Sequence, residues 1–232
     1  TVNNLTAIDQ STDTCTNNFA TLNPLDNYIA NSIFSEGNLK VVTNSGTYTW
    51  NTSTFGVSSG KWYWEILVVG HTGSAAEPLI GIASKPTIST TAHLGSIAGT
   101  ISYADTGGAY VNGSNPSYGD TYTTNDIIGV ALDMDNSKIY FSKNGTFQNS
   151  GVPTSGSTGT GALSISASST GFYFPAIGDY HSVGTSTFSM NFGSPPYSES
   201  GGNSDGNGYG NFKTAPPSNY YSLNTKNLSE FG

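Results

Sequence analysis

The chain contains no arginine: its seven cations are all lysines, set against 15 carboxylates and three histidines, for a formal charge of -8 at pH 7. Binding along nucleic-acid phosphates needs a basic patch that this balance does not supply. The bidentate fork with which proteins usually grip carboxylates and phosphates is missing as well. Cys15 is the single cysteine, which excludes an intrachain disulfide and leaves the redox compartment open. No apolar run approaches the ~18 residues that span a bilayer as a helix, so no membrane insertion is expected. The N-terminus has neither a basic region nor a hydrophobic signal core. Because the chain does not begin with Met, the expectation is a processed product or a segment of a longer polypeptide. Apolar residues at helical spacing are also absent over any normal helix length.

What is present is glycine (29 of 232 residues), abundant Ser, Thr and Asn, and 14 tyrosines. Short strands broken by frequent turns, an all-β class, fit that composition. Strands are predicted near 38–43, 47–51, 61–69, 79–84, 99–103, 108–111, 126–134, 137–142, 171–177 and 186–192. In Lys61 to Val69, Trp62, Trp64, Ile66 and Val68 share one face at period two, and Tyr63, Leu67 and Val69 make the other nearly as apolar. A strand apolar on both sides belongs between two covered surfaces. From Asp126 to Gly145 the chain reads as a hairpin around Asp135-Asn136. That register pairs Leu132 with Ile139 and Val130 with Phe141, and sets Asp133 across from Lys138 as an expected ion pair.

Gly60-Lys-Trp-Tyr-Trp-Glu65-Ile66, Ile80-Gly-Ile-Ala83, the Asp126–Gly145 hairpin, Phe172-Tyr-Phe-Pro-Ala-Ile177 and Phe188-Ser-Met-Asn-Phe-Gly193 follow one another in the order found in the SPRY domain family, which the chain resembles over residues 37–197. The resemblance implies a two-sheet antiparallel β-sandwich of jelly-roll type, with ligands held by loops at one rim. Residues 1–36 read as an extended N-terminal arm and 198–232 as a Gly/Asn/Pro-rich C-terminal extension. The flanks Asp13 to Leu25 and Phe212 to Thr225 resemble segments that bracket SPRY domains in structural proteins of tailed bacteriophages. That likeness implies a virion protein such as a tail fibre, spike or head-surface component, in symmetric multiple copies.

Several chemical patterns dissolve on inspection. Gly56-Val-Ser58-Ser-Gly60 satisfies the serine-hydrolase pattern, but Ser58 leads into a strand, whereas that chemistry needs a strand-to-helix elbow. His71, His93 and His181 are too far apart for a local metal motif and read as loop residues. Asp133, Asp135 and Asn136 lack calcium-loop spacing, and the hairpin accounts for them. Asp105, Asp120 and Asp126 could join carbonyls around an ion, although solvated loop carboxylates need no such purpose. No cofactor is expected, and no catalytic constellation emerges. The sequons, such as Asn112-Gly-Ser and Asn144-Gly-Thr, carry no weight in so Asn-rich a chain.

The loop 104–125 is the strongest surface candidate. Tyrosine offers a rigid amphipathic face at low entropic cost, and Asn and Asp add adaptable hydrogen bonds. The expected ligand contacts are Tyr103, Asp105, Tyr110, Asn112, Tyr118 and Tyr122, with His71 and His181 nearby in the family's layout. Packing of several of these rings beneath the loop is the competing reading. Two functions follow: a non-enzymatic virion-surface module gripping host glycan or protein through rim loops, or a decoration protein whose terminal arms contact other virion proteins.

Overall fold

The computed structural model describes residues 13–27, 31–44, 48–72, 77–86, 89, 91–180 and 183–232. The strands are β1 (Ile33–Ser35), β2 (Lys40–Val42), β3 (Thr49–Thr52), β4 (Lys61–Thr72), β5 (Pro78–Ala83), β6 (Thr100–Ala104), β7 (Ala109–Val111), β8 (Ile127–Asp133), β9 (Lys138–Lys143), β10 (Thr146–Phe147), β11 (Leu163–Ser164), β12 (Phe174–Asp179), β13 (Thr185–Asn191) and β14 (Tyr221–Ser222). Nine of them form one sheet ordered β1-β2-β13-β4-β8-β9-β10, with β11 on β9 and β14 on β4, and five form a second ordered β3-β12-β5-β6-β7. All pairings are antiparallel except β14 beside β4. The strands missing from the sequence prediction, β1, β10, β11 and β14, are two or three residues long and too short to show a period.

The sheets face each other over one apolar interior. Trp62, Trp64, Ile66 and Val68 of β4 meet Val130, Leu132, Ile139 and Phe141 of the hairpin, and Ile80, Ile82, Ile101 and Tyr103 from the second sheet close the layer. The hairpin register is the expected one, Val130 opposite Phe141 and Leu132 opposite Ile139, because a slip of one residue would turn every one of these side chains outward. The expected ion pair is not formed. Fully buried Asp133 lies opposite Lys61 as well as Lys138, and its carboxylate pairs with Lys61 Nζ at 2.9 Å. Lys138 Nζ instead donates to Ser164 Oγ on the neighbouring β11 at 3.0 Å.

The outer face of β4 is covered by the C-terminal residues. Tyr63, Ala131 and Tyr140 pack against Phe212 and Tyr220, and the Tyr63 and Phe212 rings meet edge to face at 5.3 Å. Glu65, fully buried on that face, accepts hydrogen bonds from the Lys213 and Thr214 amides (2.8 Å each) and from the Tyr63 hydroxyl (3.0 Å). Burial, only partly offset by those donors, pushes its carboxyl above the ordinary value. Asp205, also buried, accepts from the Ser222 amide and hydroxyl and from Asn227 Nδ2. A short α-helix, α1 (Thr225–Phe231), follows, capped by Asn224 Oδ1 accepting from the Asn227 amide. The N-terminal arm also returns to the sandwich over residues 13–27: Ala20 and Leu22 are fully buried, and the Ala20 amide donates to the Leu223 carbonyl. Linker-like composition therefore does not mean detachment. Buried carboxylates and amides satisfy the irregular backbone that a ladder would otherwise satisfy.

Candidate functional site

One end of the sandwich gathers the connections. In the five-stranded sheet Asp179 pairs with both Thr49 and Pro78, and Leu79 with Ala104, so β3, β12, β5 and β6 all start or stop there. In the other sheet Thr72 pairs with Thr185 at the same end, and Leu67 with Ile127. The register between β4 and β13 skips Val69, and such a bulge re-aims the strand end. His71 lies on that end and is exposed. His181 falls outside the described residues.

Turn chemistry anchors loop 104–125 at both ends of β6, with Gly107 at this end and Asn112-Gly113 at the opposite end beside Gly99 and Thr100. Gly107 sits at φ +87°, where a Cβ would come within 2.5 Å of the Gly119 carbonyl oxygen, so only glycine lets the two loop limbs touch. Asn112 and Gly113, at φ +50° and +88°, form a two-residue hairpin closed by reciprocal bonds between Val111 and Ser114, the positive-φ turn that Asn-Gly favours. Asn112 Oδ1 further accepts from the Gly99 amide at 3.1 Å, and its Nδ2 donates to Ser166 Oγ at 3.3 Å. Expected as a ligand contact, Asn112 shapes the turn and ties it down. The Asn-Gly pair carried that signal in the sequence.

Three of the tyrosines expected at the surface lie in the core. Tyr103, Tyr118 and Tyr122 are 0%, 4% and 3% exposed. Their rings pack edge-on or tilted around Tyr103, which lies 5.6 Å from Tyr118, 5.1 Å from Tyr122 and 5.6 Å from Phe141. Each hydroxyl has a backbone partner. Tyr103 donates to the Asp120 carbonyl, Tyr118 accepts from the Phe141 amide at 3.2 Å, and Tyr122 donates toward the Pro78 carbonyl at 2.7 Å. Burial pushes all three phenols above their ordinary value. These side chains hold the loop down and are unavailable to a ligand, because an aromatic ring gains more from the sandwich interior than from solvent.

Tyr110 differs. It stands on the outer face of the smaller sheet, half-buried, stacked with Tyr180 at 5.5 Å and an interplanar angle of 11°. His93 packs edge-on to both rings, at 4.7 Å and 4.4 Å, and Tyr48 joins at 5.8 Å from Tyr180. The Tyr110 hydroxyl donates to Glu77 Oε1 at 3.1 Å. His93, read from sequence as a solvated loop histidine, is a packed member of this cluster, and burial pushes its imidazole below the ordinary value. Tyr48, Glu77, His93 and Tyr180 come from four separate segments, so no local pattern announces their meeting.

Asp105 lies beside this cluster. Burial, then the charges of Glu77 and Asp179, push its carboxyl up to about 7, and its Oδ1 is buried without a hydrogen-bond partner. Among the described residues no group of three His, Cys, Asp or Glu side chains is placed to hold a metal ion. The end thus presents half-exposed aromatic rings next to carboxylates on a rigid base, a surface suited to apolar contact with hydrogen-bonding or cationic groups at its edge.

A profile of the SPRY domain matches residues 61–177. A relative, the ATP-dependent RNA helicase DDX1 of Xenopus laevis, is 32% identical over 124 residues, covering 53% of this chain and only 16% of that protein. Among solved structures, the SPRY domain of human HERC1 superimposes with a TM-score of 0.55 at 18% identity, over 73% of this chain and 96% of that domain. That likeness speaks for the fold.

Proposed function

Since this chain belongs to the SPRY family, a family of protein-interaction domains, we propose that it is a non-enzymatic binding module displayed on a virion surface, where its rim takes hold of a host-surface protein or glycan. The observation that carries the proposal is the Tyr110–Tyr180 stack with His93 and Glu77, held half-exposed above a loop whose other two tyrosines are locked inside with Tyr103 of β6. A preorganised aromatic patch loses little conformational freedom on binding. Display in several copies on one particle would add avidity to weak single contacts. The phage setting rests on the flanking segments Asp13 to Leu25 and Phe212 to Thr225. The rival reading, a capsid, tail or filament decoration protein docked through its arms, is disfavoured because residues 13–27, 31–36 and 194–232 commit backbone and apolar side chains to their own sandwich.

The test is binding of the purified chain to intact host cells, untreated, protease-treated or periodate-oxidised. Wild-type binding that drops at least about tenfold in Tyr110→Ser/Tyr180→Ser, with folding retained, supports the rim. Loss on protease treatment identifies a protein partner and loss on oxidation a glycan. Equal binding by wild type and double variant would overturn the assignment.

A further inference from the structure

At the far end of the sandwich from the rim, the two terminal segments border an open cavity of about 530 Å³. Such a volume falls inside the roughly 300–1,000 Å³ typical of small-molecule sites. Thr16, Asn17 and Phe19 line it from the N-terminal side, and Tyr209, Asn211 and Lys226 from the C-terminal side. Its walls are fixed by bonds between segments distant in sequence. Asn17 Oδ1 accepts from the Lys226 amide at 3.2 Å, the Asn18 amide donates to Thr225 Oγ1 at 3.0 Å, and the Asn211 amide donates to the Gly193 carbonyl at 2.9 Å.

Glycine keeps the space open. At Gly193, φ +131°, a Cβ would fall 2.2 Å from the Phe19 ring, so any side chain would displace that wall. At Gly208, φ +80°, nothing lies within 4 Å of where a Cβ would be. Three of the chain's lysines pair with carboxylates (Lys61, Lys143 and Lys213), but among the described residues Lys226 Nζ has no such partner. One half-buried tyrosine ring, small hydroxyl and amide side chains and an exposed lysine without a carboxylate partner thus border a single open cavity.

We infer that this cavity is a binding site for an acidic saccharide. A sugar C–H face packs on the half-buried ring of Tyr209, with buried Phe19 as the floor behind Gly193, hydroxyls exchange hydrogen bonds with Thr14 and Thr16, and Lys226 meets the carboxylate. A wall this polar does not suit a purely apolar ligand. A polyphosphate is disfavoured by a single lysine in a chain without arginine and carrying a net charge of -8. The site is independent of the rim, which lies at the opposite strand ends.

Titration of the full chain with trigalacturonate and with neutral galactotriose, followed by saturation-transfer NMR and calorimetry, tests it. Trigalacturonate is expected to bind more tightly than galactotriose. Lys226→Gln, on an exposed side chain, should weaken it about tenfold at unchanged melting temperature, as loss of one charge-assisted hydrogen bond implies. Lys226→Arg should retain most of the affinity, Tyr209→Ala should reduce binding of both sugars, and Tyr110→Ser should change neither. No binding of trigalacturonate, equal affinity for the two sugars, indifference to Lys226→Gln, or loss through Tyr110→Ser would overturn the inference.

Discussion

Loop 104–125 and the C-terminal residues 194–232 exchange the roles that their compositions suggest. The first, rich in tyrosine, Asn and Asp, looks like a recognition surface, yet Tyr118 and Tyr122 join Tyr103 of β6 in the core and Asn112 is a turn. The second, rich in Gly, Asn and Pro, looks like a linker, yet it covers the outer face of β4 and is held by two buried carboxylates, Glu65 and Asp205. Composition reports what a segment can do, and the packing partner decides what it does.

Truncation separates the two kinds of tyrosine most sharply. Tyr103→Ala or Tyr118→Ala should cost about 3–5 kcal/mol, the usual loss for a large buried ring, whereas half-exposed Tyr110→Ala should cost about 1 kcal/mol. Urea denaturation of the three variants measures the gap. Equal losses would place Tyr110 in the core and remove the rim.

For the C-terminal segment, Glu65→Ala strands two part-buried amides, those of Lys213 and Thr214. An expected cost of about 2–4 kcal/mol should be accompanied by faster proteolytic cleavage between residues 199 and 220. Stability lost without new cleavage would show that Glu65 acts on the sheet alone.

The sandwich was legible because its central strands carry their burial in their own sequence. Trp62 to Val68 alternates without interruption, and the hairpin's two limbs fit only one register. The rim was legible only in part. Loop 104–125 was found, but which tyrosines face inward depends on Phe141, Pro78 and Gln148, residues far along the chain that anchor it. Membership of the Tyr48–His93–Tyr110–Tyr180 cluster is set by three-dimensional adjacency, and so is the choice of Lys61 over Lys138 by Asp133.

A smaller effect tests the electrostatics of the rim. The fold holds the Asp105 carboxyl above its ordinary value, so its stabilising contribution is fully present below about pH 4. That contribution disappears as the pH rises through about 7. Melting temperature should therefore fall between about pH 4 and 7, and Asp105→Asn should flatten the fall. An unchanged slope would assign the pH dependence to other groups.

The smallest effect concerns the hairpin's lysines. Lys138→Ala should stay within about 0.5 kcal/mol, as surface substitutions do, and Lys61→Ala should cost more because it leaves buried Asp133 without its ammonium. The reverse order would restore the cross-strand pair.

Hydrogen exchange across the whole chain tests most directly the claim that the terminal segments complete the sandwich and leave the rim as its contact surface. Amides of residues 212–214 and 220–224 should be protected nearly as well as those of β4. Exchange of these amides at the rate of unstructured peptide, with β4 still protected, would contradict it.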